Sequence, residues 1–271
     1  MPRRCRPLLG TFVEIEADSE AAIEAGYAAI ATVHRLMSAH EPDSDLSRVN
    51  RFAHRDPVEV DGWTALVLER ALFWAKESEG AFDPVRAGKA AIETAYLPLH
   101  PGQPQAEAAH WSWLELQGRS VRLLKPGCID LGGIAKGFAV DKAIDALRRA
   151  GVDRGFVNAG GDMAGFGPRP WPVQIADPVT RSARIELALD DGALATSAIL
   201  EGGWAHLPGA DRRWLSATVR ARYAMDADAL SKILLSGSSR IGHCLQLARA
   251  TGLRIARDGS IEEFSREMVA A

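Results

Sequence analysis

The chain has 271 residues, 47% of them hydrophobic and 25% charged, with a net charge of −3. That length suits one large domain, taken as residues 1–271, and the charge balance argues against an overall basic, nucleic-acid-binding surface. The three cysteines, Cys5, Cys128 and Cys244, are far apart and form no C-x-x-C pair, so neither a disulfide framework nor a zinc site is indicated and a reduced, cytoplasmic setting is expected.

The first residues are basic and lack the apolar core of a signal peptide, and no window approaches the apolar length of a membrane span. Residues 10–17 alternate apolar and polar side chains, the pattern of a half-buried strand. Residues 19–40 place Ile23, Tyr27, Ile30, Val33 and Met37 at helical spacing. The run Glu41-Pro42-Asp43-Ser44-Asp45 breaks that helix, and residues 46–50 predict one further helical turn. A short strand at 57–60 and a long helix at 63–79, stopped by Gly80, come next. Residues 81–118 are the least regular stretch, with weak helical character at 89–96.

A strand at 120–124 and a Pro126-Gly127 turn lead to a helix over about 134–150, whose apolar face is Val140, Ile144 and Leu147. Further strands are expected at 155–158, 171–175, 183–189, 193–196 and 214–220, then helices at 226–235 and 241–251 and a closing strand at 253–256. Strands and helices cluster rather than alternate, which favours an α+β fold over a doubly wound sheet.

The most informative run is Ile129-Asp130-Leu131-Gly132-Gly133-Ile134-Ala135-Lys136-Gly137. Glycines before a helix start let a ligand approach the backbone, and the free N–H groups and the helix dipole favour an anion there. Lys136, one of only six lysines, adds a full positive charge in the first turn. The run matches neither the dinucleotide-binding nor the P-loop fingerprint, and an ordinary turn with a solvated lysine fits it equally well. Asp130 stands at a strand end, able to bond a ring or ribose or simply to cap the helix.

Three more constellations carry chemistry. In Asn158-Ala159-Gly160-Gly161-Asp162 the paired glycines permit a tight turn or a close ligand approach; by itself the run reads as a plain loop with Asp162 in solvent. Asp228, Ser231 and Lys232 are neighbours on one helix face, suited to a metal or phosphate or to an ordinary surface ion pair. Thr196-Ser197 with His206 offers two hydroxyls and an imidazole, although a lone histidine is more often structural.

Taken in order, these segments resemble the FAD:protein FMN transferase family, the ApbE-type flavin transferases. The likeness rests on Leu9-Gly10-Thr11, Met37-Ser38, Ser44-Asp45-Leu46-Ser47-Arg48-Val49-Asn50, Gly80-Ala81-Phe82-Asp83-Pro84, the glycine-lysine run, Val157 to Asp162, Ala195-Thr196-Ser197 and Ala227-Asp228-Ala229-Leu230-Ser231. It implies an α+β fold of T-fold-like antiparallel sheets packed by helices. It also implies transfer of FMN from FAD to a threonine hydroxyl of an acceptor flavoprotein, with release of AMP. Carried over by motif, Met37, Ala81, Phe82, Asp83, Asp130, Lys136, Gly160, Gly161 and Thr196 would hold FAD. Mg2+ would sit on the Gly133 carbonyl, Asp228 and Ser231, and His206 would be the base.

Three features depart from the family pattern. Lys232 stands where the D-A-L-[AS]-T motif ends in a metal-binding threonine. The H-x-x-D-P run is reduced to His206-Leu207-Pro208-Gly209, and the tryptophan- and glycine-containing segment after Pro84 is missing. Two alternatives therefore stay open: a non-transferring FAD-binding relative, acting as flavin carrier or partner-binding protein, and an FAD pyrophosphatase.

Overall fold

The structure, a computed structural model, describes residues 1–86, 110–199 and 213–265. The helical stretch expected at 89–96 and the expected base His206 lie outside the described residues.

An eight-stranded antiparallel sheet forms the centre, in the order β1 (Arg3–Leu8), β2 (Thr11–Ala17), β8 (Gly155–Ala159), β9 (Asp162–Phe166), β12 (Gly192–Ala198), β13 (Trp214–Ala221), β14 (Thr251–Ala256) and β15 (Ile261–Phe264). Three long helices lie across one face: α1 (Glu20–Met37), α4 (Ala135–Arg149) and α5 (Ala224–Ser236). The hairpin of β10 (Trp171–Ala176) and β11 (Ala183–Leu189) covers part of the other face, where Trp171, Val173 and Leu189 pack on Phe156, Met163 and Leu194.

The remaining elements are small. α2 (Asp45–Phe52) and α3 (Gly62–Glu77) flank a three-stranded sheet of β3 (Val58–Glu59), β6 (Ser120–Leu123) and β5 (Leu114–Gln117). β4 (Val85–Arg86) pairs with β7 (Cys128–Ile129), and α6 (Ile241–Ala248) precedes β14. The α+β architecture of antiparallel sheets packed by helices is the one the sequence led us to expect.

Local sequence explains most of these elements. Ser19 caps α1 by accepting the Ala22 N–H, and Ile23, Tyr27, Ile30, Val33 and Met37 are all buried along its inner stripe. Asp61 caps α3 by accepting the Trp63 N–H at 2.8 Å. Gly80 then turns the chain away with φ +84°, a conformation that side chains disfavour.

Four expectations need correction. Residues 3–8, for which no element was expected, form an edge strand, with Arg3, Arg4 and Arg6 paired to Glu14, Glu20 and Glu24. β9 was missed because every one of its residues is buried, so it has no alternation to read. The helix at 241–251 ends at Ala248, where Arg249 adopts a left-handed conformation. β14 does not close the chain, since β15 extends the sheet beyond it.

Candidate functional site

The glycine-rich run leaves β7 and enters α4. Asn50 braces it from α2, its Nδ2 donating to the Ile129 carbonyl at 3.0 Å while its Oδ1 accepts the Ile129 N–H at 2.6 Å. The Asp130 N–H donates to the Pro84 carbonyl at 2.8 Å, which places Asp130 beside the Phe82-Asp83-Pro84 segment. Asp130 does not cap α4; its Oδ1 accepts the Gly132 N–H at 2.8 Å and closes a turn. The cap position of α4 is Ile134, which offers no side-chain oxygen.

The carboxylate that meets this helix start comes from α5. Asp228 is fully buried, and its Oδ2 accepts the Gly137 N–H at 3.1 Å. The approach depends on Gly137: a Cβ there would lie 2.2 Å from the Ala224 carbonyl oxygen. Its glycine therefore serves helix packing. α4 returns the favour, since Asp141 accepts the N–H groups of Ala224 and Met225 at 2.7 and 2.9 Å at the start of α5.

Two lysines and two carboxylates converge here. Lys136 pairs with Asp162 Oδ2, and Lys232 pairs with Asp228 Oδ1. Asp162 is buried, which overturns the expectation of a solvated loop residue, and its Oδ1 has no hydrogen-bond partner among the described residues. Nor is the Asp228–Lys232 pair a surface one, because Asp228 is sealed from solvent.

Burial pushes the Asp162 carboxyl up, and the nearby Asp228 charge adds to it; Lys136 and Lys232 only partly offset this. Burial acts on Asp228 in the same sense, but Lys232 and Lys136 outweigh it and hold that carboxyl below its ordinary value. Burial alone would lower Lys136, yet Asp228 and Asp162 together hold its ammonium above the usual lysine range. The site thus keeps a firmly ionised carboxylate and a firmly charged lysine at a helix N-terminus that no side chain of its own caps.

Gly133 lies against Phe82 and Lys232: a Cβ there would meet Phe82 Cε2 at 3.0 Å and Lys232 Cε at 3.6 Å. Ser231 Oγ donates to the Asp228 carbonyl at 2.7 Å, so Ser197 Oγ, 2.6 Å away, is the donor of the pair they form. Gly160 and Gly161 make the tight β8–β9 turn with φ +67° and +101°, and this turn delivers Asp162 to Lys136. Thr196 N–H donates to the Gly161 carbonyl, and Thr196 Oγ1 meets Thr218 Oγ1 at 2.9 Å.

Phe82, Gly133, Lys136, Asp228, Ser231 and the Gly160-Gly161 turn are therefore brought to one region. Asp83 stands further along the same segment, where its Oδ1 accepts the Val85 N–H and its Oδ2 the Trp111 N–H. Ala81 packs on the main core, and Met37 is buried in it at the end of α1. Asp162 and Lys232 stand in the same region, although the resemblance assigned neither of them to FAD or metal. The signal for Asp162 was an acid placed directly after a Gly-Gly turn, and for Lys232 a lysine one turn after Asp228 amid alanines and leucines.

Among curated relatives, the FAD:protein FMN transferase of Treponema pallidum is 30% identical over 189 residues, covering 60% of this chain and 52% of its own length. That of Haemophilus influenzae is 27% identical over 205 residues, covering 68% of this chain and 59% of its own. The chain thus spans a little over half the length of these relatives. In fold it is similar to the flavin transferase ApbE from Vibrio cholerae, with a TM-score of 0.80 and 23% identity over 98% of this chain and 97% of that one. The ApbE protein from Thermotoga maritima gives 0.83 and 24% over the same shares of each chain. The ApbE family model matches residues 9–251, a span that takes in every element contributing to the lysine–carboxylate cluster, and the chain belongs to the ApbE family.

Proposed function

We propose that this chain transfers the FMN half of FAD to a threonine hydroxyl of an acceptor flavoprotein and releases AMP. The threonine oxygen attacks the FMN-side phosphorus, the bridging P–O bond breaks, and AMP leaves with the bridging oxygen. The observation that carries this reading is the pairing of Lys136 and Lys232 with buried acids at the open N-terminus of α4. Phosphoryl transfer asks chiefly for positioning and for compensation of spreading negative charge, and fixed ammonium groups at a helix N-terminus supply both.

In this reading the Lys136 ammonium, at the positive end of the α4 dipole, binds the diphosphate. The open Oδ1 of Asp162 accepts a hydrogen bond from a ligand hydroxyl or amine. Phe82, with Ala81 and Asp83, borders the ring or adenine side, and Met37, Asp130, Gly160, Gly161 and Thr196 belong to the same FAD site by motif. His206 takes the proton of the acceptor hydroxyl, for which an ordinary imidazole pKa of about 6.5 is suitable. A reduced, cytoplasmic setting accords with cysteines that form no disulfide, and no helix among the described residues is long and apolar enough to cross a membrane.

Mg2+ is the second expected ligand, on the Gly133 carbonyl, Asp228 and Ser231. The donors do not suit it. Asp228 already carries an ammonium on one oxygen and an N–H on the other, and Ser231 is bonded to Asp228 and Ser197.

The test is incubation of the purified chain with FAD and a threonine-bearing acceptor, reading AMP by chromatography and the acceptor by mass spectrometry. AMP together with flavinylated acceptor supports the transferase. AMP formed equally without acceptor would make it a pyrophosphatase, and bound FAD with no AMP would make it a carrier.

A further inference from the structure

We propose that the Lys232 ammonium takes the place of a divalent cation in this chain, so that FAD is bound without metal. The inference rests on the FAD-binding part of the reading above and deepens it at one position.

Lys232 bonds the carboxylate a cation would use and passes beside Gly133. Its Nζ rests on Asp228 Oδ1, and its stem passes Gly133 closely enough that a Cβ there would lie 3.6 Å from Cε and 3.8 Å from Cδ. Gly133 and Asp228 are two of the three positions assigned to the metal by motif. An ammonium has three donors and no lone pair, so it cannot ligate a metal and does not share its seat with one. Mg2+ demands a nearly octahedral shell of oxygens, and the carboxylate that would anchor it is already engaged on both oxygens.

Charge balance points the same way. With both carboxyls ionised, the two negative charges of Asp162 and Asp228 are matched by the two ammonium groups that pair with them, Lys136 and Lys232. With an uncharged residue at 232 the cluster would then hold one net negative charge and would repel a diphosphate until a dication arrived. Among the described residues Asp228 is the one acceptor for Lys232 Nζ, which leaves two of its N–H donors for phosphate oxygens.

The experiment measures FAD affinity by flavin fluorescence in EDTA and again in millimolar Mg2+, for the wild-type chain and for Lys232→Thr and Lys232→Met. The wild type should bind FAD equally well, within twofold, in both media. Lys232→Met should bind at least tenfold more weakly in both. Lys232→Thr should bind weakly in EDTA and recover at least tenfold on adding Mg2+, and it should bind Mn2+ by electron paramagnetic resonance in the presence of FAD where the wild type does not. A wild-type affinity that rises tenfold or more with Mg2+, or stoichiometric Mn2+ binding by the wild type, would overturn the proposal. These wild-type measurements decide it even if a variant fails to fold. Absence of FAD binding in either medium would remove the FAD reading itself, whereas metal-dependent binding would remove only the role given to Lys232.

Discussion

Asp141 and Asp228 exchange places across the contact of α4 and α5. Asp141 of α4 accepts the first N–H groups of α5, and Asp228 of α5 accepts the Gly137 N–H in the first turn of α4. Neither helix has a side-chain cap of its own. The crossing that permits this exchange also places Lys232 and Lys136 beside one another's carboxylates.

Asp228→Ala should be strongly destabilising. It leaves the largely buried Lys232 ammonium and the Gly137 N–H without their acceptor, and removing one partner of a buried pair costs about 3–5 kcal/mol. Urea denaturation measures it. A loss below about 1 kcal/mol would mean that solvent reaches Lys232 freely.

Lys136→Met should weaken FAD binding by tenfold or more, in line with about 1.5–3 kcal/mol for a hydrogen bond to a charged group. Flavin fluorescence titration reads it. Unchanged affinity would reduce Lys136 to a structural partner of Asp162.

Asp141 sets a pH dependence. Burial lifts its carboxyl from 3.8 to about 7, although the two α5 amides favour the ionised form. The folded chain therefore keeps a proton that the unfolded chain has released. The stabilising contribution is full below about 3.8 and is lost as pH rises through about 7, at about 1.4 kcal/mol per pH unit. Comparing Asp141→Asn with wild type by urea denaturation at several pH values should give a stability difference that changes with pH across this window. A constant difference would show that Asp141 titrates as an ordinary carboxylate.

Gly137→Ala should cost well over the usual ~1–3 kcal/mol of overpacking, because the clash is with Ala224 backbone rather than a movable side chain. Gly62→Ala is the control, since a Cβ there meets nothing within 4 Å. It should change stability by no more than about 1 kcal/mol. Thermal melts of both variants give the comparison.

Much of the fold was legible because its signals are local. The stripe from Ile23 to Met37 and the cap at Ser19 specify α1 without reference to the rest of the chain. β11 and the start of α3 were equally plain. β9 was not, since a strand covered on one face by α4 and α5 and on the other by Trp171 carries no alternation. The helix expected over 241–251 stops at Ala248, because Arg249 turns left-handed and Thr251 already begins β14. Gly252 packs beside Leu234 of α5, where a Cβ would lie 2.8 Å from Leu234 Cδ2, and the chain is taken into β14.

The same division holds at the site. The glycine-lysine run, the Gly160-Gly161 turn and the Asp228 helix were joined to one chemistry by their resemblance, in order, to a known family; backbone freedom and charge type, which are properties of the residues themselves, left each run open to an ordinary turn or ion pair. Which charge meets which was settled by the packing of α4 on α5 and by the β8–β9 turn. Lys136 finds Asp162 at 26 residues' separation and Gly137 finds Asp228 at 91. Electrostatic partnership depends on distance and burial, and both come into being only when the helices cross at Gly137 and exclude water from the carboxylates.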